Sequence, residues 1–142
     1  EPLRRAYDFI IIDSGPSLGL LTINALVAAQ KIIIPVQCEY YALEGLADLL
    51  RTVQMINTNL KMRIGVMGAL LTMYDRTSRL HRAVAKEIRR KFPGYVFQAV
   101  IPRNVALAEA PSHGKTILQY DPYSHGAKAY RAFAAEVLKM TA

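Results

Sequence analysis

The chain has 142 residues, 52% of them hydrophobic, and a formal charge of +7. That size and apolar content suit one domain with its own core, and the positive balance suggests an anionic partner, nucleic acid or membrane surface. Cys38 is the only cysteine, which excludes a disulfide within the chain and suits a cytosolic protein, and no apolar run approaches the length of a membrane span.

No repeat, low-complexity block or linker is visible. Residues 1–6 are short and charged, so no signal peptide is expected ahead of Tyr7. The chain enters a core-type strand within a few residues, as the later part of a larger domain would. Residues 7–13, Tyr-Asp-Phe-Ile-Ile-Ile-Asp, are an apolar, β-branched run ending on a carboxylate, followed by the turn Ser14-Gly15-Pro16-Ser17. Such a run reads as a strand buried on both faces. An Asp at its carboxyl end sits where open α/β sheets place ligands, although simple capping explains many such residues.

Residues 20–30 read as a short Leu/Ala-rich helix and residues 31–36 as a second buried strand, with Pro35 arguing for its end. An amphipathic helix is expected over 43–60, with Leu46, Leu49, Leu50, Val53 and Ile56 on one stripe. Residues 63–72 form a third strand, and Ser78 is a plausible N-cap for a helix over 79–92. In that helix Leu80, Val84 and Ile88 are expected to face the core, with the basic residues on other faces. Pro93-Gly94 ends it, and residues 95–101 form a fourth strand closing at Pro102. After an irregular connection with a helical turn near 106–110, Ser124 is placed to cap a last helix. Its stripe is Tyr130, Phe133, Ala134, Val137 and Leu138. Strand–helix alternation implies a three-layer α/β fold, a mostly parallel sheet flanked by helices.

Five linked segments carry a family resemblance. They are residues 10–19 (IIIDSGPSLG), 35–45 (PVQCEYYALEG), 71–75 (LTMYD), 101–105 (IPRNV) and 109–114 (EAPSHG). In order and spacing they resemble the ParA/Soj chromosome- and plasmid-partitioning ATPases, which carry a deviant Walker P-loop. The likeness covers nearly the whole chain. It implies a P-loop NTPase fold, incomplete here, with residues 1–142 as the C-terminal portion of a single nucleotide-binding domain. The family's Gly-rich loop, its two lysines and its hydrolytic aspartate have no counterpart in this sequence. Lys115-Thr116 after Gly114 lacks the glycine and spacing of a P-loop.

The resemblance implies ATP or ADP with Mg²⁺ as cofactors. Asp13 would be the Walker B carboxylate, holding the metal through water, and Ser14, Gly15 and Pro16 would belong to switch II. Met73, Pro102, Arg103 and Asn104 would border the base and ribose. Physically, Met73 and Pro102 offer apolar faces to a ring and Asn104 offers hydrogen bonds. Arg76, Arg79, Arg82, Lys86, Arg89, Arg90 and Lys91, opposed only by Glu87, form the best site for an anionic partner, against the plainer reading of a solvated helix face. Non-specific DNA binding by an ATP-bound homodimer, a ParB-like partner that stimulates hydrolysis and a nucleoid-associated, cytoplasmic location follow from the same likeness, with no membrane partner.

Two departures stand out. Gly15 occupies a position where the family usually has proline, and Ala106 one where relatives often carry a basic residue. His81, His113 and His125 have no metal-ligand spacing. Cys38 reads as a small hydrophobe. Tyr40 and Tyr41 suit either a dimer contact or core packing. The rival readings are a MinD-like membrane-associated ATPase, an iron-protein relative, and a non-enzymatic fragment that binds DNA or a partner. The first lacks a basic amphipathic end here, and the second lacks cluster cysteines.

This chain by itself is expected to hydrolyse ATP negligibly. The check is steady-state phosphate release by the purified 142-residue chain; turnover that Asp13→Ala abolishes would overturn the expectation.

Overall fold

The computed structural model describes residues 2–15 and 19–141. A 3₁₀ turn, Pro2–Arg5, precedes the segment 6–15, which has no regular structure. Then follow α1 (Leu20–Ala28), β1 (Lys31–Gln37), α2 (Ala42–Asn59), β2 (Gly65–Tyr74), α3 (Arg79–Lys91), β3 (Val96–Pro102), α4 (Val105–Glu109), a 3₁₀ turn (Ala110–His113), α5 (Ile117–Tyr120) and α6 (His125–Thr141).

The three strands form one parallel sheet in the order β1-β2-β3. Parallel neighbours need a crossover, and α2 and α3 supply one each. The two-residue period of the strands then sorts the core into two faces. Ile34, Val36, Ala69, Leu71 and Val96 pack with Leu46 of α2 and with Val84, Ala85 and Ile88 of α3. Leu70, Phe97 and Ile101 pack on the opposite face against Phe133 and Val137 of α6. Leu26 of α1 joins Val53 and Ile56 of α2 in a smaller cluster. Helices on both faces of a parallel sheet make the expected three-layer α/β architecture.

The expected strand at residues 7–13 does not form. Phe9, Ile10, Ile11 and Ile12 are 50%, 51%, 91% and 47% exposed. A strand exists only when its N–H and C=O groups pair with a neighbouring strand, and among the described residues this segment pairs with none. β-branched composition supplies the propensity but not the partner. The described sheet accordingly has three strands rather than four.

β1 continues past Pro35 to Gln37, further than expected. The backbone N–H of Cys38 donates to Thr72 O at 3.3 Å. Strand alternation therefore turns the nitrogens of Val36 and Ile34 toward β2 and that of Pro35 toward the open side. Proline is tolerated on an edge for this reason.

The opposite edge is covered. Glu136 of α6 accepts hydrogen bonds from the N–H of Gln98 at 2.8 Å and of Ala99 at 3.0 Å, and from the Tyr95 hydroxyl. The T-shaped contacts of Phe97 with Tyr95 and Phe133, at 5.4 and 4.9 Å between ring centres, hold α6 over this edge. Ser124 caps α6, its hydroxyl accepting from Ala127 N–H at 3.1 Å. On α6, Phe133 and Val137 pack inward as expected, whereas Tyr130 and Leu138 are exposed.

Burial alone opposes the charged form of Glu136. The hydrogen bonds from Tyr95, Gln98 and Ala99, with the positive charge of Arg89, outweigh it and hold the carboxyl below its ordinary range. A carboxyl depressed on folding adds stability that is present above its unfolded value, about 4.3, and lost as pH falls through the folded value. The wild type should therefore lose stability more steeply on acidification below pH of about 4.3 than Glu136→Gln, which itself costs about 1 kcal/mol near neutrality. Urea denaturation across that range checks this; equal pH slopes for the two proteins would refute the assignment.

Candidate functional site

Parallel pairing brings the carboxyl ends of all three strands to one edge, where open α/β sheets bind ligands. Met73 is the penultimate residue of β2, and Tyr74 pairs in register with Pro102. The N–H of Arg103 donates to Tyr74 O at 3.0 Å. Met73, Pro102, Arg103 and Asn104 are thus gathered at one place. Asn104 caps α4, its Oδ1 accepting from Leu107 N–H at 3.2 Å, so that oxygen is already engaged and its amide nitrogen is the group left for a ligand.

Met73 has φ 52°, in the left-handed region. A non-glycine residue there costs about 1–2 kcal/mol, and such outliers gather at functional sites. The residue is 39% exposed at the sheet edge.

Asp13 lies in the irregular opening segment. It is exposed and has no hydrogen bond or ion pair among the described residues. Ser14 and Gly15 are likewise exposed, and Pro16 lies outside the described residues. A Cβ built on Gly15 meets nothing within 4 Å, and its φ is not positive, so packing does not require glycine there. The structure therefore assembles the strand-edge residues 73 and 102–104 but leaves Asp13 unattached to them. No group of three or more His, Cys, Asp or Glu residues suited to a metal occurs among the described residues.

The basic helix divides more sharply than its sequence suggests. Ser78 Oγ accepts from His81 N–H at 3.3 Å and starts α3. Helical rotation sets Arg79, Arg82, Lys86, Arg89 and Arg90 within an arc of about 100°. The buried residues His81, Val84, Ala85 and Ile88 occupy the opposite arc. The basic side chains are not equally free. Arg82 Nη1 donates to the carbonyls of Arg76 and Thr77 at 2.6 and 3.2 Å. Arg89 Nη2 donates to Phe97 O at 3.1 Å. Arg90 and Lys91 pair with Glu87 at 2.9 and 3.1 Å, and together they hold its carboxyl below the usual range. The side chains of Arg76, Arg79 and Lys86 have no polar partner among the described residues.

Leu80, expected in the core, is 43% exposed, and His81 takes the inward position instead. The register explains this: residues 81, 84, 85 and 88 follow the helical repeat, and residue 80 sits at its margin. Sequence reasoning missed His81, although that same spacing marks it. It also missed Glu39. His81 Nδ1 accepts from Asp75 N–H at 2.9 Å, and Nε2 faces Glu39 Oε1 at 3.6 Å. Arg103 Nη2 approaches the same Glu39 oxygen at 3.6 Å. The hydroxyl and then the N–H of Thr77 hold the Asp75 carboxyl below its ordinary range.

Cys38 is fully buried. Burial first, and then the charge of Glu39, push its thiol up to about 11 against a smaller opposing effect of Arg89, so it is an inert hydrophobe. Tyr40 and Tyr41 stack edge-to-face at 5.1 Å but are 75% and 73% exposed, so neither is a core residue.

A protein-family model described as an AAA domain matches residues 1–66. Over 97% of this chain the fold superposes on half of cobyrinic acid a,c-diamide synthase from Mycobacterium smegmatis, with a TM-score of 0.79 and 33% identity. That structure holds an ATP analogue and magnesium. The architecture is that of the P-loop NTPases.

Within that class the likeness narrows. The sporulation initiation inhibitor protein Soj of Bacillus subtilis is 53% identical over 96% of this chain and 54% of its own length. The chromosome-partitioning ATPase Soj of Thermus thermophilus is 51% identical over 97% of this chain and 56% of its own. The chain belongs to the Soj/ParA family, and it spans about half the length of the curated relatives it matches. Among the described residues, no helix is long and apolar enough to cross a membrane.

Strain at Met73 predicts an order of stability. Met73→Gly should stay within about 1 kcal/mol of wild type, since relief of the left-handed φ offsets the entropy of glycine. Met73→Val should lose about 1–2 kcal/mol more, because a β-branched residue resists positive φ. Denaturant midpoints measure both; equal midpoints would remove the strain.

Proposed function

We propose that this chain is the C-terminal portion of the nucleotide-binding domain of a chromosome-partitioning ATPase of the Soj/ParA type. The convergence of three parallel strand ends on Met73, Pro102, Arg103 and Asn104 is the observation that carries the nucleotide part of this reading. Met73 and Pro102 would flank the base of ATP or ADP, and the Asn104 amide and backbone groups would meet the base and ribose. One carboxylate with substrate phosphates is the usual protein share of a Mg²⁺ site. A single exposed Asp13 fits that requirement, with the metal reached through water, and Ser14, Gly15 and Pro16 as the segment that senses the γ-phosphate. When bound, Mg²⁺ would neutralise charge on the phosphates. The phosphate cradle itself has no candidate in these 142 residues, so hydrolysis is a property of a longer protein.

DNA is the second partner in this reading. The exposed arc of Arg79, Arg82, Lys86 and Arg90, with Arg76 beside it, supports phosphate contacts that carry no base code. Arg89 contributes less, since its guanidinium is tied to β3. An ATP-dependent homodimer would present two such arcs to nucleoid DNA in the cytoplasm, and a ParB-like partner would stimulate hydrolysis and release.

The test is binding of full-length protein to a non-specific duplex at several salt concentrations. Charge reversal at Arg79 and Arg82 should weaken binding at least about tenfold, and the salt slope should fall by about 0.9 for every DNA phosphate that is no longer neutralised. Unchanged affinity and slope would rule the helix out.

A further inference from the structure

His81 and Thr22 are the polar residues buried among the described ones. A buried polar side chain needs partners, and those of His81 are unusual in where they lead. Nδ1 accepts from Asp75 N–H at 2.9 Å, just past the end of β2. A nitrogen that accepts carries no proton, so Nε2 is the donor, and it faces Glu39 Oε1 at 3.6 Å. Glu39 stands two residues beyond β1, its N–H donating to Gln37 O at 2.9 Å. The same oxygen lies 3.6 Å from Arg103 Nη2, one residue beyond β3. A single carboxylate oxygen is therefore shared between the ligand edge of the sheet and the first turn of the basic helix.

We propose that Glu39 and His81 form a relay that couples Arg103, at the candidate nucleotide edge, to the amino end of α3. This rests on the nucleotide and DNA reading above. The Glu39 and Arg103 side chains are 48% and 61% exposed, and an exposed pair at 3.6 Å is weak. Arg103 borders the base and ribose in that reading, and its long side chain can turn toward the adjoining phosphates, which offer the guanidinium two parallel hydrogen bonds; a bound nucleotide thereby draws Arg103 off Glu39. The freed carboxylate then closes on Nε2–H of His81. That residue sits on the turn carrying Arg79 and Arg82, so its bond to Glu39 steadies the start of the basic arc. Glu39 and His81 are positioning residues in this scheme; neither touches nucleotide or DNA.

Three proteins test it at full length: wild type, Glu39→Gln and His81→Asn. The asparagine Oδ1 can still accept from Asp75 N–H, so His81→Asn removes the Glu39 interaction and keeps the loop. The relay predicts that each variant binds Mg·ATP within about twofold of wild type but loses about threefold or more of the gain in DNA affinity that Mg·ATP confers. A gain unchanged in both variants overturns it. If wild-type DNA affinity ignores nucleotide, the functional reading fails, and the imidazole ¹⁵N resonance of His81 then decides the relay. A shift of Nε2 on adding inorganic pyrophosphate, abolished by Glu39→Gln, supports the relay; a stationary Nε2 overturns it.

Discussion

Parallel strand pairing is the constraint from which the rest of this structure follows. Two parallel neighbours cannot be joined by a tight turn, so each return requires a helix laid across the sheet. α2 and α3 are those returns. Because the chain always comes back to the same end, residues 37–39, 74–75 and 102–104 must meet at one edge. The candidate nucleotide site is thus a product of topology before it is a product of chemistry. The left-handed Met73 and the Asn104 cap are local adjustments at the place where the strands stop.

The same constraint gives α3 two faces. Its apolar arc closes the core over β2 and β3, which fixes its rotation to within a residue. Once that rotation is set, the basic side chains have only the outward arc to occupy. The exposed basic residues and the packed apolar ones are therefore divided by helical period rather than by separate elements. His81 crosses that division: it is polar, lies on the packed side, and reaches the strand ends.

Most of the architecture was legible from periodicity and punctuation. The stripe of α2, the Ser78 and Ser124 caps, the stop at Pro93-Gly94 and the three strands beginning at Lys31, Gly65 and Val96 were marked by local signals strong enough to survive tertiary context, although the first of them is an edge strand and not buried on both faces. The opening segment was not, because its apolar, β-branched residues report only half of what a strand needs. The other half is a neighbour, which one segment's composition cannot reveal. Pro35 misled in the opposite direction: it reads as a strand end, yet an edge strand can turn its missing donor outward. Leu80 and His81 exchanged places because residue type was weighed above register. Glu39 carried no signal at all, since its importance comes from two partners distant in sequence.

The carboxylate that occupies the outer edge of β3 also has a consequence in time. Glu136 lies 38 residues after Gln98, the backbone it covers. During synthesis, β3 is complete before α6 exists, and its outward N–H groups remain open until α6 has left the ribosome and docked. Among the described strands, the nascent sheet therefore has two open pairing edges, and docking of α6 leaves one. Any ribosomal pause between residues 102 and 136 would prolong that interval, and a chaperone that shields strand edges would matter most then, before the closing side chain has been made.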